Sequence, residues 1–283
     1  MTTAPPGARV REALAGTRFA DVRWVAETGS TNADALALAR AGEPGGVVCV
    51  ADHQTAGQGR RGRAWGAPAG ASLLCTVLLR PPRSVADATT MAVGVAMAEA
   101  VEQVAGFAPR LKWPNDLVWP GDGSAEDRKL AGILAEADWP PASQAAGWAE
   151  PGPGERVAVA VGVGVNVNWT AELPAELADI AVAANHIAAR PIDREDLLIA
   201  FLRSLDHLYG RLAANGGRAE VQEEWRRRSA TLGRRVRIDL GAREVEGTAV
   251  DITAEGHLVV DCDSGGRRSF AVGDVVHLRP AAP

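Results

Sequence analysis

The sequence predicts an α+β protein. A mixed-sheet domain over residues 17–230 is followed by a small all-β barrel over 231–283, behind a flexible N-terminus at 1–16. Three observations predict this. Residues 157–168 alternate strictly between valine and small or amide residues, the period of a strand. Leu197, Leu198, Phe201, Leu202, Leu205, Leu208 and Leu212 fall at helical spacing. From Thr231 onward the chain breaks into short alternating segments separated by Gly and Asp, on the scale of a β satellite domain.

The elements follow in order. Residues 1–16 are small, polar and Pro-containing and read as frayed. Residues 19–27 read as a strand. Residues 30–42 read as a helix, with Ser30 or Thr31 as N-cap and Gly42 as stop. Residues 45–56 and 70–80 are apolar strands on either side of a Gly/Arg loop. The Ala-rich stretch 87–106 is a helix ending at Gly106. Residues 110–119 and 128–137 read as two strands joined by a polar turn at 121–127. The Pro/Ala/Gly/Glu-rich stretch 139–154 is a loop before the long strand 155–169. Residues 193–216 and 220–230 are helices, the first amphipathic. The segments 233–240, 243–252, 257–262 and 267–279 supply the barrel.

Composition bounds the function. At 283 residues the chain is long enough for one large domain with a satellite. Net charge is −5, so nucleic-acid binding would need a local basic patch. Cys49, Cys75 and Cys262 are far apart and form no C-x-x-C pair, which fits a reduced compartment rather than a disulfide framework or zinc site. No apolar run is long enough for a membrane helix, and the N-terminus lacks the apolar core of a secretory signal. The expected location is the cytoplasm. The five histidines show no metal-ligand spacing.

Three stretches carry chemistry. Only two of the 30 basic residues are lysine, Lys112 and Lys129, and they lie close together in sequence. A chain that otherwise uses arginine keeps lysine where a compact point charge is needed. Residues 55–66, TAGQGRRGRAWG, hold Gly57, Gly59 and Gly62 in the spacing of a dinucleotide fingerprint. That fingerprint requires a helix to open at once, and Arg63-Ala-Trp-Gly-Ala-Pro does not start one. What remains is a glycine loop with Arg60, Arg61 and Arg63, suited to gripping carboxylate or phosphate. In 157–168 the odd positions are all valine, and the even ones are Ala158, Ala160, Gly162, Gly164, Asn166 and Asn168. Glycine inside a strand marks close approach, either by a ligand or by packed protein.

Together the motifs ETGSTNAD, QTAGQGRRGRAW, KWPNDL, RKLAGILAE and VGVGVNVN, in that order, resemble the biotin protein ligase family across residues 20–170. The β tail resembles that family's SH3-like C-terminal domain. The resemblance implies a biotin/lipoate ligase-type catalytic domain that makes biotinyl-5′-AMP from biotin and Mg-ATP. Biotin then passes to a lysine of a biotin carboxyl carrier domain of acetyl-CoA or related acyl-CoA carboxylase. It implies that Arg60 and Lys129 flank the reacting carboxylate and α-phosphate. Ser30, Thr31, Asn32, Gln54, Gln58, Gly59, Gly132, Gly162 and Gly164 join them around biotin. Arg63, Trp65, Lys112, Asn115, Asp116 and Asn166 join Arg60 on the nucleotide, with Trp65 stacked on adenine. Asp116 and Asn166 also lie near Mg²⁺. A homodimer is compatible with the resemblance; a lipoate or octanoate ligase is the sister alternative, and a nucleic-acid-binding module the non-enzyme one.

Two departures stand out. Gln58 replaces the first Arg of the family's usual G-R-G-R-R-G, so the loop has one cation fewer and retention of the adenylate is expected to weaken. Only about 20 residues precede the first strand, so the expectation is a ligase without the winged-helix DNA-binding module of bifunctional members.

Overall fold

The computed structural model describes residues 6–120, 127–138, 151–170, 173–212, 214, 216–241, 243–271 and 273–278. The expected turn at 121–127, apart from Asp127, and residues 139–150 of the expected loop lie outside the described residues.

The flexible N-terminus expected over 1–16 is corrected within its described part. Ala8–Ala13 form helix α1. Val10 and Leu14, one helical turn apart, are fully buried. Arg9 is clamped by Asp193, Glu195 and Asp196 at 2.7, 2.7 and 2.5 Å.

The larger domain is built on β1 (Val22–Thr28), α2 (Thr31–Arg40), β2 (Val48–Gln54), β3 (Ser72–Leu79), α3 (Thr89–Ala105), β4 (Arg110–Lys112), β5 (Asp116–Trp119), β6 (Arg128–Ala137) and β7 (Val159–Asn166). The short α4 (Ala184–Ala188), α5 (Arg194–Leu212) and α6 (Gly217–Arg228) follow. The seven strands form one sheet in the order β1-β2-β3-β7-β6-β5-β4. The pair β1–β2 is parallel and the rest are antiparallel.

The two faces of the sheet differ. The odd valines of β7 are buried with α3 and α5 in the main core, as their alternation predicts. Helix α3 approaches the sheet closely at Gly94, where an added Cβ would stand 3.3–3.4 Å from Leu111 and Ile133. The opposite face holds α2, whose Ala35 packs with Cys49 and Ala160. Residues 110–119, read from sequence as one strand, form a β4–β5 hairpin in which Lys112 stands opposite Asp116. Its turn runs through Trp113–Asn115, with a cis Trp113–Pro114 bond. Pro114 has no N–H to give a ladder, so an uninterrupted strand fails there.

The tail forms a five-stranded antiparallel sheet of β8 (Arg235–Asp239), β9 (Glu244–Ile252), β10 (Leu258–Cys262), β11 (Arg267–Phe270) and β12 (Asp274–His277). Its order is β11-β10-β9-β8-β12. The segment 267–279, read as one piece, divides into β11 and β12, which lie at opposite edges. This sheet is fixed to the larger domain. Trp113 donates through Nε1 to the Gly256 carbonyl at 2.9 Å, and Gln222 donates to the Ile252 carbonyl at 2.7 Å. Val236, Ile238, Leu258 and Val260 belong to the same buried cluster as the sheet of the larger domain.

Candidate active site

The even positions of β7 lead to a cavity of about 260 Å³ on the α2 face. Each accepts a different neighbour. Ala160 meets Ala35 of α2. A Cβ on Gly162 would lie 2.1 Å from Asn32 Oδ1, and one on Gly164 would lie 2.7 Å from the Trp65 indole. Of the two partners the sequence allows for these glycines, packed protein is present here: a carboxamide and an indole from the chain itself stand against them. Asn166 follows at the open end, its Nδ2 donating to the Val182 carbonyl at 3.3 Å.

One end of the cavity is polar and held by a connected network. Ser30 precedes α2, but its hydroxyl makes no cap bond. Gln54 Oε1, from the end of β2, accepts the Thr31 N–H at 2.7 Å and lies 3.0 Å from the Thr31 hydroxyl. The Thr76 hydroxyl stands 2.8 Å from Thr31 Oγ1 and 2.6 Å from Asn32 Oδ1. Its single proton serves one of these at a time. Asn32 Nδ2 donates to Glu136 Oε2 at 2.6 Å, which fixes the orientation of the amide. A network satisfied in this way is a rigid recognition surface for a compact polar group.

The loop 55–66 closes over the other end. Gly59 N–H donates to the Arg63 carbonyl at 2.6 Å, and Trp65 N–H to the Gly57 carbonyl at 2.9 Å. Gly57 has no alternative, since an added Cβ would sit 2.5 Å from the Trp65 carbonyl oxygen. Gln58 pairs with Ala64 across the loop and is exposed. The Arg60 guanidinium stands 3.4 Å from Asn115 Oδ1, and Asn115 in turn donates to the Ile133 carbonyl at 2.7 Å. Burial lowers the Arg60 pKa from its ordinary value, with Asp274 opposing. Arginine remains charged all the same. The Trp65 Nε1–H is buried without a partner among the described residues.

Lys129 reaches the cavity through a β-bulge. Leu117 pairs with Ala131 but Val118 pairs with Lys129, so Leu130 is an extra residue in β6. In a regular strand Lys129, three residues from Gly132, would point to the opposite face. The bulge sends Leu130 and Ala131 together into the core and turns Lys129 toward Gly132. There an added Gly132 Cβ would lie 3.1 Å from its ammonium. Bulges beside active sites commonly re-aim a side chain in this way. The ammonium is 2.7 Å from Asp116 Oδ1, yet that oxygen takes no hydrogen bond, so the contact is an ion pair off the hydrogen-bonding direction. It also stands 5.5 Å from the Trp65 ring, within cation–π range.

Of the residues expected at the site, Ser30, Thr31, Asn32, Gln54, Gln58, Gly59, Arg60, Arg63, Trp65, Asn115, Lys129, Gly132, Gly162, Gly164 and Asn166 line this one cavity. Asp116 adjoins it through Lys129. Lys112 is not on the wall; it sits one strand farther out, opposite Asp116. The sequence reading missed the apolar wall of Leu134, Trp169, Leu177 and Ile180. The main signal for the last two is a backbone bridge, in which Lys129 N–H donates to the Ile180 carbonyl at 2.8 Å. Cys75 also lines the cavity, and burial pushes its thiol up to about 12, so it stays protonated.

A model of the biotin/lipoate A/B protein ligase family matches residues 27–138, and one of the biotin protein ligase C terminal domain matches 231–278. The biotin--[acetyl-CoA-carboxylase] ligase of Mycobacterium tuberculosis is 36% identical over 274 residues, covering 94% of this chain and 92% of that protein. The chain belongs to the biotin protein ligase family. Within that family it is also similar to the bifunctional ligase/repressor BirA of Escherichia coli, at 30% identity over 229 residues, 80% of this chain and 65% of that protein. The structure of biotin protein ligase from Aquifex aeolicus in complex with biotin and ATP matches with a TM-score of 0.73 at 25% identity, over 93% of this chain and all of that one.

Proposed function

We propose that this member of the biotin protein ligase family joins biotin to AMP and then to a protein lysine. The observation that carries the reading is a single cavity that combines a rigid polar end, an apolar wall and three cations, Arg60, Arg63 and Lys129. Its volume is just below the roughly 300–1,000 Å³ usual for small-molecule sites, which suits one small acid with the nucleotide extending outward.

In this reading the ureido end of biotin meets Ser30, Thr31, Asn32 and Gln54, and its rings lie along Leu134, Leu177 and Ile180. A biotin carboxylate oxygen attacks the α-phosphorus of ATP, the bond to the β-phosphate bridging oxygen breaks, and pyrophosphate leaves. Arg60 and Lys129 lower the repulsion between the two anions and stabilise the charge on the α-phosphoryl oxygens. Arg63, Asn115 and Asn166 hold the nucleotide beyond the cavity, toward Lys112, with Trp65 moving from Gly164 to stack on it. The Asp116 carboxylate, whose Oδ1 pairs with Lys129 but accepts no hydrogen bond, would suit a Mg²⁺ ion held mainly by phosphates and water, with Asn166 as a second donor. When bound, that ion would neutralise phosphate charge. Closure of 55–66 keeps water from the mixed anhydride. The ε-amine of the acceptor lysine then attacks the acyl carbon, the acyl–oxygen bond breaks, AMP departs and the amine loses its proton.

The acceptor in this proposal is a biotin carboxyl carrier domain of acetyl-CoA or related acyl-CoA carboxylase, reached in the cytoplasm. Residues 17–230 carry the chemistry and 231–283 support the loop. No helix among the described residues is long and apolar enough to cross a membrane. The test is ATP–pyrophosphate exchange with biotin, lipoate or octanoate as the acid. Exchange with biotin alone supports the reading; exchange driven by an acyl acid would move the enzyme to the sister specificity.

A further inference from the structure

The arginines of the loop 55–66 converge on one carboxylate of the C-terminal sheet. Asp274, first residue of β12, lies 3.6 Å from Arg60, 3.4 Å from Arg61 and 3.3 Å from Arg63. The surroundings are built for this contact. Gly273 brings the backbone close: Arg60 donates to its carbonyl at 3.3 Å, and an added Cβ there would strike Ile238 at 2.6 Å. Asp274 stands directly across from Asp239 in the β12–β8 pair. Like charges placed opposite each other destabilise a sheet. Here Arg61 lies between them, 3.4 Å from each carboxylate, and donates to the Asp239 carbonyl at 3.0 Å. Arg61 holds this place with φ 55°, a left-handed conformation that a non-glycine residue adopts at a cost.

None of the three carboxylate contacts reaches the 2.7–2.9 Å of a strong charge-assisted bond. Asp274 therefore gathers the arginines without saturating them. A phosphate, with more charge and more acceptor oxygens, would bind them better.

We propose that Asp274 is an internal counter-anion. It holds the arginine loop over the cavity while no nucleotide is bound, and yields the guanidiniums to the phosphates of ATP. The inference rests on the adenylating reading of the site. Asp274 is a positioning residue, since it acts through Arg60, Arg61 and Arg63. The contacts to the Gly273 and Asp239 carbonyls persist and keep the loop docked.

The experiment compares full-length wild type, Asp274→Asn and Asp274→Glu. Trypsin cleavage at Arg60, Arg61 and Arg63 is timed without ligand and again with biotin plus ATP. The Asn variant is expected to be cut about fivefold faster without ligand, the scale of a loose ion-pair network, and at the wild-type rate with ligand. The Glu variant should restore slow cleavage. In biotin-dependent pyrophosphate exchange, the Asn variant should show a KM for ATP lowered a few-fold at unchanged kcat. Equal cleavage of all three proteins without ligand would overturn the proposal. So would faster cleavage in both states with a raised KM, which would make Asp274 a permanent strut. Absence of exchange in wild type would instead refute the adenylating reading, while ligand-free cleavage would still report on the latch.

Discussion

The two faces of β7 carry the same alternating pattern and teach opposite lessons. On the core face Val159, Val161, Val163 and Val165 share the main core with α3 and α5, and any well-packed hydrophobic set would serve. On the other face each position is fitted to one side chain from elsewhere: Ala160 to Ala35, Gly162 to Asn32, Gly164 to Trp65. One face stabilises the sheet, and the other defines a cavity. Substitutions on the two faces should therefore separate stability from activity.

The largest effect is expected from Lys129→Ala, beside the second face. Adenylate formation should fall by about 10²–10³-fold, the usual scale for losing one stabiliser of transition-state charge, with the unfolding midpoint nearly unchanged. Near-normal rates of biotinyl-AMP formation would remove Lys129 from the mechanism. Gly162→Ala comes next. Its methyl would lie 2.1 Å from Asn32 Oδ1, displacing the amide from its bonds to Thr76 and Glu136. Calorimetry should show biotin binding weakened at least about tenfold, alongside overpacking of about 1–3 kcal/mol. Unchanged affinity would mean that Asn32 plays no part in the polar end. On the core face, Val161→Ala should cost about 2 kcal/mol in denaturant unfolding and leave exchange kinetics intact. A large kinetic defect there would erase the distinction between the faces.

Gln58→Arg should be milder. It restores a cation to the loop and is expected to slow biotinyl-AMP dissociation a few-fold; identical off-rates would show that the missing charge is immaterial. The smallest effect concerns the joint between the domains. Burial lowers the His277 pKa, helped by Lys112 and Arg234 and opposed by Asp127 at 3.0 Å. The unfolded chain then binds a proton near pH 6.5 that the folded chain refuses. Stability is full above that pH, declines as pH falls through it, and levels off below the lowered folded value. His277→Gln should flatten this part of the unfolding profile, and parallel curves for the two proteins would count against it.

Local pattern made much of the molecule legible. The odd valines, the helix 194–212 and the short strands after Thr231 announced themselves by period, and the helix 89–105 by its alanines and the Gly106 stop. The glycine loop and one of the two lysines, Lys129, fall on a single cavity, while Lys112 does not. Features made by distant partners were not legible. Helix α1 depends on three carboxylates some 185 residues away, and Ile180 reaches the site only through its bridge to Lys129. The occupancy of Gly162 and Gly164 depends on where α2 and the loop 55–66 come to rest. Alternation says that something fits against a glycine, and only the fold says what.

The extra residue at Leu130 has a consequence for deletion rather than substitution. Lys129 and Gly132 share a face although an odd number of positions separates them. Excising the Leu130 codon would straighten β6 and leave the lysine two positions from the glycine, still aimed at the cavity, at the expense of one core leucine. Excising a residue upstream of Lys129 would spare that register as well. A one-codon insertion between Ala131 and Gly132 that left the bulge in place would send the ammonium to the wrong side of an otherwise intact sheet. The register of β6 about this bulge, and not only the identity of Lys129, sets where the ammonium points.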